Sequence, residues 1–306
     1  MNSLPIYVLI PTHNRDKLLN KTLASLSRVI KPINYSSTIV VENGIRNNVQ
    51  CIVSEYQEEL NAQYLFVEEG NKSNALNCAI SKIKENNALL FFTDDDAKFD
   101  KNVFKSYSET LIESCNGYYF GGTVIPIYER EPDNFVRKLL PGSAIGFRPK
   151  INKNGPSYFL GINWVAFKQD IINAGGFDPD YGPGSKKGAR GQEARMQKAL
   201  YDNGVFPKAV PGAIVYHHVP EKNCTLIWAT KRLIQEGLKY AMEYDRELTV
   251  KKKFKKLLLI TATMLTGIVK FIIYSISLNI DNSTKLYAIV FRKYGRVLGI
   301  LKSFRQ

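Results

Sequence analysis

Four short apolar or β-branched runs, Ile6 to Ile10, Thr38 to Val41, Tyr64 to Val67 and Ala88 to Phe92, punctuate the first hundred residues. Each gap between them carries a stretch with helical spacing, such as Leu18-Leu19, Leu23 and Leu26. Strand and helix alternating in this way predict a mostly parallel central sheet flanked by helices, an α/β architecture. Ligands of open sheets of this type bind outside the carboxyl ends of the strands. Pro11 to Arg15, Glu42 to Gly44, Glu68 to Asn71 and Asp94 to Asp96 all fall at such ends, so they are expected to converge on one crevice.

The last of these ends is the most demanding. The run LLFFTDDDAKFD stops against three adjacent carboxylates, Asp94, Asp95 and Asp96. They repel one another, and two readings account for them. Asp is common in turns and at helix N-caps, where it accepts a backbone N–H. Alternatively, a divalent cation such as Mg²⁺ or Mn²⁺ takes the carboxylate oxygens and shares them with a substrate phosphate.

Composition narrows the classes. A chain of 306 residues with 44% hydrophobic content can bury a substantial core. Cys51, Cys78, Cys115 and Cys224 are widely spaced without a CxxC pair, which argues against a zinc site or a disulfide framework and fits a reducing compartment. The N-terminus lacks the basic leader and cleavage site of a secretory signal and reads as the first strand. The net charge of +14 is unevenly placed: residues 249–306 hold 12 Lys and Arg against Asp281 alone, leaving 30 basic and 27 acidic residues in 1–248. No nucleic-acid reading motif accompanies the excess, so a membrane surface is the expected partner and nucleic acid is not.

In order and spacing, IYVLIPTHNRDKLLNKTLASL, IVVENG, GNKSNALNCAI and LLFFTDDDAKFD resemble the family 2 glycosyltransferases of the GT-A, nucleotide-diphosphosugar transferase type, over roughly residues 4 to 220. The resemblance implies a Rossmann-like GT-A sheet and a metal-dependent transfer of a sugar from a nucleotide-diphospho-sugar donor. It implies that Asp94 meets the donor ribose, Asp96 a Mn²⁺ or Mg²⁺ ion, and Asp95 lies between them. Pro11, Thr12 and Asn14 would line the nucleotide pocket. Glu42 stands where the family usually has Asp against the base, which loosens the expectation of uridine. Asn74 and Asn77 would face the diphosphate or, as ordinary polar residues of a helix, the solvent.

SYFLGINWVAFKQDIINAGGFDPDYGPG resembles the family segment that places Gly161, Asn163 and Trp164 near the donor sugar, although a Trp there could equally be core. Five glycines between Gly175 and Gly188 make the next segment poorly fixed and able to close over substrate, with Lys186, Lys187 and Arg190 as possible phosphate partners or a solvated basic loop. The family's acidic pair at the following helix is here Gln192-Glu193. Glu193 is thus expected as general base of a single, inverting displacement, although a first-turn Glu is also favoured by the helix dipole alone. In AIVYHHVP, one of His217 and His218 can reach the metal, because strand neighbours point to opposite sides; His217 is preferred.

KKKFKK at 251–256 runs into 22 residues, 257–278, whose single charge is Lys270. That length can cross a bilayer. Basic residues follow as well, so a helix lying in the interface, or a returning hairpin, suits the flanks better than a single crossing; a soluble packing helix is the third option. The expected division is a GT-A domain at 1–222 and a helical, basic, apolar region at 223–306 holding the protein to the cytoplasmic face of the cell membrane. The acceptor would be a saccharide or a lipid-linked saccharide, in surface polysaccharide or glycolipid assembly. Two rivals share this architecture: a nucleotidyltransferase, which should carry a glycine- and basic-rich loop where this chain has PTHNR, and a non-catalytic sugar-nucleotide- or membrane-binding protein.

Overall fold

The structure is a computed structural model that describes residues 4–112, 117–185 and 191–304. Among them eight strands form one mixed sheet: β1 (Ile6–Thr12), β2 (Tyr35–Asn43), β3 (Gln63–Val67), β4 (Leu89–Phe92), β5 (Ala97–Phe99), β6 (Tyr118–Tyr128), β7 (Trp164–Phe167) and β8 (Phe206–Val219). Their order in space is β3-β2-β1-β4-β7-β6-β8-β5. The helices used below are α1 (Asp16–Ser27), α2 (Lys72–Lys82), α3 (Gln192–Asp202), α4 (Leu226–Tyr244), α5 (Val250–Ile276) and α6 (Ile280–Lys302).

β1 pairs in parallel with β2 and β4, and β2 with β3, as strand–helix alternation demands. All seven residues of β1 are buried, so the sheet is covered on both faces. Ile6, Val8 and Ile10 meet Leu19, Leu23 and Leu26 of α1 in one core cluster, while Tyr7 and Leu9 meet Ala75, Leu76, Ala79 and Ile80 of α2 in the other. Period two in the strand and 3.6 in the helices thus fit together. Beyond β4 the sheet turns antiparallel: β7 pairs with β4 and β6, and β5 with β8. The second half of the sheet therefore brings late residues to the carboxyl end of β4.

The chain divides into two compact units, Met1–Ile127 with Gly142–His218, and Tyr128–Pro141 with Val219–Gln306. The boundary lies at His218/Val219, four residues before the one read from sequence, and the segment Tyr128–Pro141 joins the second unit. In that unit α4 and α6 meet where both backbones are bare. A Cβ on Gly295 would stand 1.9 Å from the Ile234 carbonyl oxygen, and one on Gly237 would stand 1.8 Å from that of Arg292. Asp245, buried just past α4, is held by a two-pronged Arg296 (Nε 2.6 Å, Nη2 2.9 Å) and by Lys256 Nζ at 2.6 Å. Charge-assisted bonds on both carboxylate oxygens make its burial tolerable.

Candidate active site

The three aspartates leave β4 in different directions and find different partners. Asp95 points inward: Thr12 Oγ1, at the end of β1, donates to its Oδ2 at 2.7 Å, and Thr22 Oγ1 of α1 donates to its carbonyl at 2.8 Å. Arg15 donates through Nη1 to Asp95 Oδ1 at 3.0 Å and to Asp96 Oδ2 at 2.9 Å. Lys72, the first residue of α2, bonds Asp94 Oδ1. Two side-chain cations therefore offset the three carboxylates within the protein itself.

The electrostatics follow from that arrangement. Burial, only partly opposed by Arg15, pushes the Asp95 carboxyl up to about 6. Burial and the neighbouring Asp94 charge also raise Asp96. Burial pushes Asp94 the same way, but the Lys72 charge and hydrogen bond outweigh it and hold the carboxyl below its ordinary range. Lys72 loses hydration by burial, yet Asp94 and then Glu193 keep its ammonium charged more firmly than usual. Glu193 thus lies within electrostatic reach of the lysine that holds Asp94. It sits in the first turn of α3, after Gly191 in the left-handed region (φ 87°). A Cβ on Gly161 would stand 3.5 Å from Glu193 Cδ, so the bare backbone at 161 forms one wall beside this carboxylate.

On the other flank, Ala97 of β5 is paired with His217 of β8, which sets His217 Nε2 3.8 Å from Asp96 Oδ2. Its Nδ1 lies 2.9 Å from the Ser143 carbonyl, which can only accept, so Nδ1 carries a hydrogen and the ring is held with Nε2 toward Asp96. Asp96 Oδ1 is buried without a hydrogen-bond partner. The orphaned Oδ1 is an oxygen donor of the kind Mn²⁺ or Mg²⁺ takes, and the His217 ring stands beside the same carboxylate. Among the described residues no cluster of three or more His, Cys, Asp and Glu side chains forms a complete metal cage. His218, the next residue of the strand, lines a cavity of about 500 Å³ with Leu18, Lys21, Phe99 and Asp96.

A model of the family described as "Glycosyl transferase family 2" matches residues 7–173, more than half of the chain. The chain belongs to this family. The transferase is 24% identical over 251 residues to the chondroitin synthase of Pasteurella multocida (strain Pm70), an overlap of 71% of this chain and 25% of that protein. It is 25% identical over 244 residues to that of Escherichia coli, covering 70% and 34%. It therefore spans about a quarter to a third of these relatives. Its fold is that of a mannosyltransferase from Pyrobaculum calidifontis in complex with GDP-Man and Mn²⁺ (TM-score 0.60, 15% identity, 97% and 88% of the two chains). S. aureus TarS 1–349 in complex with UDP-GlcNAc is similar too (TM-score 0.56, 13% identity, 93% and 90%).

Several expected residues of the transferase occupy other positions than the crevice lining. Trp164 belongs to the core: it is 1% exposed and stacks on Phe92 with ring centroids 4.3 Å apart, because β7 is an interior strand. Asn163 is a buried clamp, accepting from Tyr107 and donating to the carbonyls of Thr123 and Ala213. Glu42 is fully buried, with Oε1 taken by the Asn47 N–H and Oε2 by the Tyr64 hydroxyl, both at 2.6 Å, so both its oxygens are spent inside the protein rather than on a base. Pro11 is buried in β1, while Asn14 is exposed beyond it at φ 53°. Asn74 donates its backbone N–H to the N-cap Asn71 and its side-chain amide to Glu69.

Asn77 does not face a diphosphate; it grips both backbone groups of Phe177. The glycine-rich segment is, in its described part, fastened rather than loose. Asn71 Nδ2, the Lys72 N–H and Ser73 Oγ donate to the carbonyls of Pro179, Pro183 and Tyr181. Lys186, Lys187 and Arg190 lie outside the described residues. Arg15 and Lys72 are the site residues that sequence reading missed. Both stand in the quoted strand-end motifs, PTHNR and GNKSN, and a search for cations to match three carboxylates would have found them.

Proposed function

We propose that the transferase moves a sugar, with inversion, from a nucleotide-diphospho-sugar, a UDP-sugar first among candidates, to a saccharide or lipid-linked acceptor in surface polysaccharide or glycolipid assembly. The observation that carries this reading is the joining, at the carboxyl ends of β1 and β4, of Asp94–Asp96, Arg15 and Lys72, with a separate carboxylate, Glu193, within electrostatic reach of Lys72. One set suits the donor and the other the acceptor. The named ligands of the structural neighbours, GDP-Man and UDP-GlcNAc, support a nucleotide-sugar donor, and the Mn²⁺ of the first supports a divalent ion.

In this reading Asp94 accepts from the donor ribose hydroxyls. Glu193 takes the proton of the acceptor hydroxyl as that oxygen bonds to the anomeric carbon and the bond from that carbon to the diphosphate oxygen breaks. Attack from the face opposite the leaving group inverts the configuration. Lys72 and Arg15 offset the charge that gathers on the departing nucleoside diphosphate. Asp96 and His217 would hold Mn²⁺ or Mg²⁺, which when bound supplies further positive charge to the diphosphate.

Glu193→Gln keeps size and removes the base. Transfer should fall by roughly 10²- to 10⁴-fold while donor binding, followed by titration calorimetry, stays within about twofold. Unchanged transfer would show that Glu193 is not the base. A product that retains the donor's anomeric configuration by NMR would refute the single displacement.

A further inference from the structure

Helix α5 is 27 residues long, close to 40 Å at 1.5 Å per residue, and in its most apolar window only 11% of residues are buried. The buried seam is a single line. Lys253 Nζ donates to the Ser303 carbonyl, Ile260 packs with Ile300, Gly267 faces Val290 and Phe271 faces Tyr287 with centroids 5.7 Å apart. α5 is thus zipped antiparallel onto α6 along its length, after a tight turn with Leu278 at φ 56°. α6 is fixed in turn to α4 by the glycine contacts and the Asp245 cluster, to which α5 itself contributes Lys256.

The opposite side of α5 carries an apolar stripe at helical spacing, Phe254, Leu258, Leu265, Val269, Ile272 and Ile276, each between 50% and 78% exposed. At one end of the stripe stand the exposed Lys251, Lys252 and Lys255. Across from it, α6 shows Lys285 and Arg292 to solvent. A helix that spans a bilayer alone is surrounded by lipid, and α5 could be so surrounded only by leaving α6. Leaving would strip Asp245 of one of its two cations and expose the seam. Inserting the pair together would carry the charges of α6 into hydrocarbon.

We infer that α5 lies in the plane of an anionic lipid surface, with the stripe from Phe254 to Ile276 sunk among the acyl chains, Lys251, Lys252 and Lys255 at the phosphates, and α6 and α4 behind it. A long, outward apolar stripe with an adjoining basic cluster matches an anionic bilayer in both chemistry and extent. The sequence alone left spanning, interfacial and soluble arrangements open; the full-length seam on α6 argues against a lone crossing, and the exposed apolar stripe beside the lysines argues for the interface.

The test is flotation of the full chain with vesicles of phosphatidylcholine, with and without phosphatidylglycerol, beside the double variant Leu265→Glu, Ile272→Glu. Both positions are exposed, so the variant should keep its circular dichroism and melting temperature. The parent should float with the anionic vesicles, less so as salt rises, and the variant should bind at least about tenfold more weakly. Equal flotation of the two proteins would overturn the stripe as the contact. Resistance of the bound parent to alkaline carbonate would overturn the in-plane arrangement in favour of a crossing. A parent that ignores vesicles and sediments as a dimer dissociated by the double substitution would assign the stripe to a second copy of the chain.

Discussion

Asp95 meets Thr12, Arg15 and two neighbouring carboxylates while almost fully buried, and this has a measurable consequence in pH. Its carboxyl titrates near 3.8 in the unfolded chain and at about 6 in the fold. A raised folded value means that the folded state prefers the proton. Its contribution is therefore complete below about pH 3.8 and is lost as pH rises through 6, on the order of 3 kcal/mol. Asp95→Asn keeps the shape and an acceptor for Thr12 without the charge. Between pH 4 and pH 7, in chelator, denaturant melts should show the stability gap moving toward the variant by about that amount; a gap independent of pH would contradict this account of the site. The aspartates themselves were legible in the sequence, because three adjacent carboxylates at a strand end need compensation. Arg15 and Lys72 could be found there as cations in neighbouring strand-end motifs, but which carboxylate each one meets is set by tertiary approach and leaves no local pattern.

At the scale of elements, the first four strands and the helices between them were legible because periods of two and 3.6 are written along the chain. What periodicity could not show is which segment ties down which. The glycines between 175 and 184 read as freedom, yet Gly184 is there for close approach: at φ 80°, a Cβ on it would stand 1.7 Å from the Gly70 carbonyl oxygen. The segment lies against the start of α2, held by Asn71, Lys72 and Ser73, and Asn77 locks its beginning through Phe177. Asn77→Ala would leave both backbone groups of Phe177 without their partner. It should cost about 1–3 kcal/mol in denaturant melts, and weaken donor binding indirectly by loosening the frame of Lys72. A variant as stable as the parent would show that the clamp is dispensable. Trp164 was left open between donor contact and core for a related reason: an aromatic at a strand start reads alike in a pocket and in a core, and only the place of β7 inside the sheet separates the two.

For the molecule as a whole, the chain divides into a sheet unit and a helical unit; the charge step near residue 249 lies within the second of these, and the assignment of Tyr128–Pro141 to that unit had no sequence signal. Within the sheet unit, the end of β4, α2, α3 and β8 each deliver one part of the site, from positions up to 145 residues apart in sequence (72 to 217), and their joint meaning depends on that meeting. The central claim is that these parts form a nucleotide-sugar site centred on Asp94–Asp96. Its most direct measurement is release of nucleoside diphosphate from a panel of UDP-, GDP- and other sugar nucleotides by the purified chain, with Mn²⁺ or with chelator, beside Asp96→Asn. The account predicts release from at least one donor, supported by Mn²⁺, suppressed by chelator and reduced by at least about 10²-fold in the variant. Release from any donor that Asp96→Asn leaves unchanged, or no release from any donor with Mn²⁺ and acceptor saccharides present, would contradict it.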